Sequence, residues 1–277
     1  LGTILLVASK TDLAGMNMRE RLLGLESWDE PGSFEGSKLH RFRDFIMTTT
    51  GEPLLERDNI DVAFLKGTGI KPDCVVYLSK HRSESNMKSL TVHPIGNFAK
   101  AEYGGRDGSL VPASPAFMTG ALRGLKAEAR ELGLKYNVSF EATHHGPYLE
   151  TPTFFIEIGS GEPEWRDESA GQAIARALLN ATGETCPVAV GIGGGHYAPR
   201  LTDVALSNKI AFGHIIPSYA AESVDEPMLA QAISKSGGAS LAYFHRKAMK
   251  KPVIAKLSGW CESQGLRVVR EEDLEKM

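Results

Sequence analysis

Two glycine-flanked histidine junctions carry the strongest chemical signal in the chain: Thr143-His144-His145-Gly146-Pro147, and Gly193-Gly194-Gly195-His196-Tyr197-Ala198-Pro199. Imidazole is the commonest metal ligand and the side chain whose ordinary titration lies nearest neutrality. Glycine lets a backbone turn sharply and brings its amides close to a substrate. Each junction follows an apolar, strand-like run, and so do Lys80, His81, His93 and Glu157. Ligands of open α/β sheets bind beyond the carboxyl ends of strands, so these residues read as parts of one site.

Strand geometry limits how they combine. Neighbouring side chains of an extended strand face opposite ways, so His144 and His145 share an ion only if the strand has ended and the backbone turns. Gly146-Pro147 suits such a turn, although the residue before a proline favours extended geometry. On a continuous strand Glu141 and His145 would stand roughly 13 Å apart, too far for a common metal. The sequence has no His-Glu-x-x-His helix and no Cys-x-x-Cys knuckle. A zinc site would therefore be assembled from distant strands, and His93, His144, His196 and Glu157 make a reasonable set with a position left open. The glycine run 191–195 fits neither the P-loop nor Gly-x-Gly-x-x-Gly, and reads as a turn packed on substrate or backbone. There is no Gly-x-Ser-x-Gly elbow, and Ser160 reads as a turn or capping residue.

The elements that must position these groups alternate between strand-like and helix-like along the chain. Residues 3–8, 61–65, 73–79, 138–143, 153–158, 187–192 and 210–216 are expected as strands. Helices are expected after Asp12, over 114–132 and over 165–179. The second has Ser114 as cap, Pro115 in its first turn and Gly133 as its stop. Residues 51–59 and 103–114 read as surface loops. No repeat, low-complexity tract or distinct linker divides the chain. The expectation is a three-layer α/β/α fold with a mixed central sheet, one compact domain over 1–277, with room for a smaller N-terminal lobe ending near 110.

Composition excludes several classes. With 277 residues, 42% of them hydrophobic, the chain can bury a core and is not a disordered segment. It lacks an apolar run of about 18 residues, so no membrane span is expected. Residues 1–9 lack a basic leader and a small-residue cleavage site, and read as a first core strand. Three widely spaced cysteines, Cys74, Cys186 and Cys261, argue against a disulfide framework and for a reducing cytoplasm, each as a buried small hydrophobe. A net charge of −3 gives no sign of a generic nucleic-acid binder. Local phosphate contacts remain available from Lys80-His81-Arg82 with Lys88, and from His245-Arg246-Lys247 with Lys250, Lys251 and Lys256.

Six runs, in order, resemble the signatures of the archaeal and plant type of D-aminoacyl-tRNA deacylase. They are Ser79-Lys80-His81-Arg82-Ser83-Glu84-Ser85, Thr91-Val92-His93-Pro94-Ile95-Gly96-Asn97, Glu141-Ala142-Thr143-His144-His145-Gly146-Pro147, Phe155-Ile156-Glu157-Ile158-Gly159-Ser160, Gly191-Ile192-Gly193-Gly194-Gly195-His196-Tyr197-Ala198-Pro199 and Gly213-His214-Ile215-Ile216-Pro217. Lys10-Thr11-Asp12 and Asn17-Met18 are compatible with it.

The resemblance implies a fold akin to phosphorylase and peptidyl-tRNA hydrolase domains. It also implies two zinc ions per chain, and hydrolysis of the ester joining a D-amino acid to the terminal ribose of tRNA. His93, His144, His196 and His214 are then the expected metal ligands, and His145, Glu157, Lys80 and His81 the expected catalytic residues. Arg82, Gly193, Gly194, Gly195, Arg246 and Lys247 are expected on the substrate, the glycine amides facing an oxyanion and the cations holding acceptor-stem phosphates. The expected partner is tRNA charged with a D-amino acid, with no obligate protein partner, a monomeric state and a cytoplasmic setting. Taken without the resemblance, the residues also admit a nucleoside phosphorylase, a zinc peptidase, or a non-catalytic module for a tRNA end.

Overall fold

A computed structural model describes residues 2–83, 86–183 and 185–277; Leu1, and Glu84 and Ser85 of the 79–85 run, lie outside it. The chain runs β1 (Ile4–Ser9), α1 (Leu13–Leu25), β2 (Asp29–Phe34), β3 (Ser37–Phe42), β4 (Phe45–Thr50), α2 (Ile60–Thr68), β5 (Cys74–Lys80) and β6 (Ser89–Pro94). It continues through α3 (Pro115–Glu131), β7 (Asn137–Phe140), β8 (Thr153–Gly159), α4 (Glu162–Trp165), α5 (Glu168–Asn180), β9 (Val188–Ile192) and α6 (Pro199–Ser207). The last part holds β10 (Ala211–Ile216), α7 (Ser218–Ala221), α8 (Glu226–Ser234), β11 (Leu241–Phe244), α9 (Lys251–Ser263) and β12 (Arg267–Val269).

Eight strands form the expected mixed sheet, in the order β2-β3-β4-β1-β5-β8-β6-β7. Its middle, β4-β1-β5-β8, is parallel, whereas β6 pairs antiparallel with β8 and parallel with β7. A second sheet, β10-β9-β11-β12, is entirely parallel and was not anticipated as a separate unit.

Both faces of the large sheet are covered, which is why its central strands read as continuous apolar runs. Ile4, Leu6 and Ala8 of β1 join Val76, Leu78, Phe154 and Ile156 against α1, α3 and α5. The alternate residues Leu5, Val7, Val75, Tyr77 and Phe155 face the other way, onto Phe64 of α2 and the segments carrying Leu54, Ile95 and Leu149. The second sheet buries Val190, Ile192 and Phe244 beneath Leu229 of α8 and Leu257 of α9.

Two expectations change. Residues 61–65 belong to α2 rather than a strand; Asn59 precedes it and Gly69, at φ +74°, ends it by donating to the Leu65 carbonyl. The strand expected over 138–143 stops at Phe140. Cys74 and Cys261 are buried as expected, whereas Cys186 is half-buried.

Candidate active site

Asp12 fixes the end of β5. One of its oxygens caps α1 by accepting from Gly15 N at 2.9 Å; the other accepts from Lys80 N at 3.0 Å and Ser79 Oγ at 3.3 Å. Lys80 and His81 therefore leave the sheet at a set point. Next to them, Glu157 of β8 pairs across the sheet with Ser79 on one side and Thr91 on the other. His93 pairs with Phe155, and its ring stacks on that phenyl ring at 5.2 Å. These two groups sit within strands, on the face away from α1, α3 and α5, and not beyond a strand end.

The two histidine junctions meet through the backbone. Ala142 N donates to the His196 carbonyl at 2.8 Å, and Glu141 bridges to Tyr197. Because β7 has ended, His145 is free to take φ +44°, which turns its ring towards that of His144, 4.3 Å between centroids. Gly146 cannot be replaced here, since a Cβ would lie 2.1 Å from Gly105 N.

His93, His144 and His145 bring one ligand atom each to within 4.8 Å of one another. Their Nδ1 atoms lie 3.1 Å from the Pro94 carbonyl, 2.7 Å from that of Ala142 and 2.7 Å from that of Gly146. A carbonyl only accepts, so each Nδ1 carries a proton, and in His144 and His145 Nε2 keeps its lone pair. Burial first, then the neighbouring imidazoles, push His144 well below the ordinary histidine range. Burial and His93 push His145 down to about 4. His144 and His145 are thus neutral imidazoles with pinned tautomers, the form a metal requires of histidine.

His81, Glu141 and His196 form a second such group. Glu141 is fully buried, and neither of its oxygens has a hydrogen-bond partner among the described residues. They lie 3.2 Å from His81 Nδ1, 3.6 Å from His144 Nε2 and 3.1 Å from His196 Nε2. Glu157 stands 3.4 Å from His81 Nδ1 and 3.7 Å from His93 Nε2. Burial opposes charge on both histidines, but the two carboxylates outweigh it and raise them. Burial would likewise raise Glu157, yet His81 and His93 hold it well below the usual carboxylate range. A buried carboxylate without a hydrogen-bond partner among the described residues, with imidazole nitrogens of His81, His144 and His196 at 3.1 to 3.6 Å, fits a divalent cation, and this N/O donor set suits zinc.

The groups form the floor of an open cavity of about 1090 Å³, bordered by Lys80, Arg82, Tyr103 and Trp165. Trp165 is fastened there by Nε1 donating to the His81 carbonyl at 3.0 Å, and its own carbonyl accepts from Asn17 Nδ2 at 3.0 Å. The Lys80 ammonium lies over its ring at 5.4 Å. Tyr103 is 67% exposed, yet its carbonyl accepts from Gly146 N at 3.0 Å, so its backbone is locked to the histidine turn.

Residues 68–269 match the family model described as D-aminoacyl-tRNA deacylase. A protein of that name from Methanosarcina mazei is 41% identical over 278 residues, covering 98% of this chain and 93% of the relative. Its namesake from Pyrococcus furiosus is 42% identical over 235 residues, 83% of this chain and 86% of the relative. The chain belongs to the D-aminoacyl-tRNA deacylase family. A solved structure described as a conserved protein of unknown function superposes at a TM-score of 0.91 with 32% identity, covering 99% of this chain and 97% of that one. A methylthioadenosine nucleosidase from Helicobacter pylori overlaps at 0.41 with 10% identity, over 65% of this chain and 98% of that one, too slight to carry the phosphorylase kinship further.

In this deacylase-family chain the expected site residues divide. His81, His93, His144, His145, His196, Glu157, Lys80 and Arg82 meet at one cavity or its floor. His214 does not: it is fully buried, with Nδ1 3.1 Å from Thr143 Oγ1 and Nε2 3.0 Å from the Val111 carbonyl. Both nitrogens are engaged by protein, so the expected metal ligand is a packing residue. Two of the three glycine amides are also redirected, because Gly193 N donates to the Ile216 carbonyl and Gly194 N to Ser218 Oγ, 2.8 and 2.9 Å. Neither is available to an oxyanion. Arg246 and Lys247 line a separate cavity of about 520 Å³ with Arg200 and Glu271. Glu141 is the residue that sequence reasoning set aside; the signal for it was only its place at the start of the His144-His145 run.

Proposed function

We propose that the chain hydrolyses the ester between a D-amino acid and the terminal ribose of tRNA, with zinc held by His93, His144 and His145 and by His81, Glu141 and His196. The observation that carries this is the set of three imidazoles whose Nδ1 atoms are tied to backbone carbonyls, beside a buried carboxylate with no hydrogen-bond partner among the described residues. Zinc in such a setting supplies Lewis acidity towards a carbonyl and brings the pKa of water near 7.

The chain's own groups have assignable parts. Glu157 borders the cavity and stands 3.4 Å from His81 Nδ1, so the proton of the attacking water passes to the Glu157–His81 pair. The water oxygen bonds to the acyl carbon as the bond to the ribose oxygen breaks. The proton passes to that ribose oxygen, and the amino acid leaves as its carboxylate with release of a proton. The Lys80 ammonium, at the same wall, faces the negative charge that develops on the oxygens. Arg82 on the rim is placed for a phosphate of the acceptor end. Selection of the D over the L ester rests on the shape around the α-carbon, because both esters release the same alcohol.

The test is deacylation of matched D- and L-tyrosyl-tRNA by zinc-replete protein. Release of the D amino acid at least tenfold faster supports the reading. Equal, slow release of both would overturn it.

A further inference from the structure

A second, smaller cavity of about 140 Å³ lies behind the histidine floor. It shares Leu55, Lys80, His145 and Glu157 with the large one, so the two spaces meet at the groups given the chemistry above. Its remaining wall is part apolar, from Pro53 and Leu54, and part hydroxyl, from Ser9 and Thr11.

The hydroxyls are already engaged. Ser9 Oγ donates to the Glu52 carbonyl at 2.8 Å and stands 2.9 Å from Thr11 Oγ1. Asp12, also on the wall, has both oxygens occupied by Gly15, Ser79 and Lys80. The far end of the cavity thus offers no free charge with which to demand one particular side chain.

The ester of a charged tRNA joins a small acyl group to a very large alcohol. Its scissile bond is matched by a point where a small space opens into a large one. Resting on the deacylase reading, we infer that the small cavity seats the amino-acid side chain of the aminoacyl group, while the large cavity takes the terminal nucleoside. At about 140 Å³ it falls short of the roughly 300 Å³ from which drug-sized ligand pockets begin. It matches the ~150 Å³ apolar cavity that accommodates a benzene ring. The occupant is therefore a side chain of up to about one six-membered ring, chosen by bulk more than by polarity. Thr11 is the exposed residue of that far wall and the one most easily changed without disturbing the core.

The experiment compares kcat/KM for D-tyrosyl-tRNA and D-alanyl-tRNA in zinc-replete protein. Thr11→Phe, which fills the cavity, lowers the tyrosyl-to-alanyl ratio at least tenfold. Leu55→Ala, which widens it, raises the ratio at least threefold. Uncharged tRNA, which has no acyl group, inhibits Thr11→Phe with a constant within threefold of the parent, showing that the large cavity is intact. If that inhibition is lost, Thr11→Phe has misfolded and the Leu55→Ala ratio alone decides. Ratios within twofold of the parent in the folded variants overturn the assignment. A parent protein that released neither amino acid would instead sink the deacylase reading itself.

Discussion

Glu141 Oε2, itself fully buried, lies 3.1 Å from Nε2 of the half-buried His196, closing one histidine junction onto the other. A carboxylate removed from water is costly unless a cation or hydrogen-bond donors replace the lost solvation. The described residues give Glu141 no hydrogen bond, so a cation held jointly with His81, His144 and His196, whose nitrogens lie 3.1 to 3.6 Å away, is what would replace the lost solvation.

Glu141→Gln keeps the shape of that side chain and removes its charge. The variant loses about one equivalent of zinc per chain by elemental analysis, and kcat/KM on D-aminoacyl-tRNA falls roughly 100-fold, the scale on which metal-site partners act. Its stability without metal changes by about 1 kcal/mol, the middle of the range for point substitutions. Full metal content with full turnover would remove Glu141 from the centre.

Metal removal separates the site from the scaffold. Dialysis against a strong chelator abolishes turnover, and added zinc restores it. Zinc at a hundredfold excess over its Kd stabilises the parent by about 3 kcal/mol through mass action, seen as a rise in Tm. His145→Ala shows a smaller rise and a larger loss of turnover than of fold. A chelated protein of undiminished activity would contradict the metal reading.

Much of this arrangement was legible in the sequence, and the reasons differ by residue. β1, β5 and β8 are buried on both faces, so each appears as an unbroken apolar run. α3 announces itself by Pro115 in its first turn and Gly133 beyond its end. β2 was invisible: Asp29–Phe34 is an edge strand exposed along nearly its whole length, with no period to detect. The pairing of His144 with His145 depended on where β7 stopped, and a stop at Phe140 followed by φ +44° at His145 leaves no mark in residue type. The same early stop is what brought Glu141 into the site. The amides of Gly193 and Gly194 misled because glycine reports that a backbone is tightly packed, not what its N–H groups face. A Cβ at Gly193, whose φ is +104°, would lie 3.1 Å from the His245 carbonyl oxygen.

His214 predicts a pH dependence of folding that has nothing to do with catalysis. Burial pushes its pKa down to about 3, against an ordinary value of 6.5. Between those values the unfolded chain binds a proton that the folded chain does not, so stability rises with pH and is lost as pH falls below 6.5. From pH 7 to pH 5 this one group removes about 2 kcal/mol. Urea unfolding of the parent and of His214→Gln at both pH values isolates it. The loss on acidification is smaller in the variant by about that amount, and identical losses would show that His214 is not the group responsible.

The separate basic cavity makes the last prediction. Arg246 and Lys247 are exposed on a turn after β11, and His245 beside them packs on Gly193 and Gly194, in the loop that carries His196. Under the proposed function, cations there would hold RNA phosphates, and phosphate contacts position a nucleic acid without reading it. Replacing both by alanine raises KM for charged tRNA about tenfold and leaves kcat within about twofold, because the chemistry lies elsewhere. Each lost phosphate contact also lowers the slope of log affinity against log salt by ~0.7 to 0.9, so the double variant is flatter by about 1.5. A small ester of a D-amino acid, having no phosphates, is hydrolysed by the variant at the parent rate. Parallel salt plots for the two proteins would move the RNA contact to Arg82 and the rim of the large cavity.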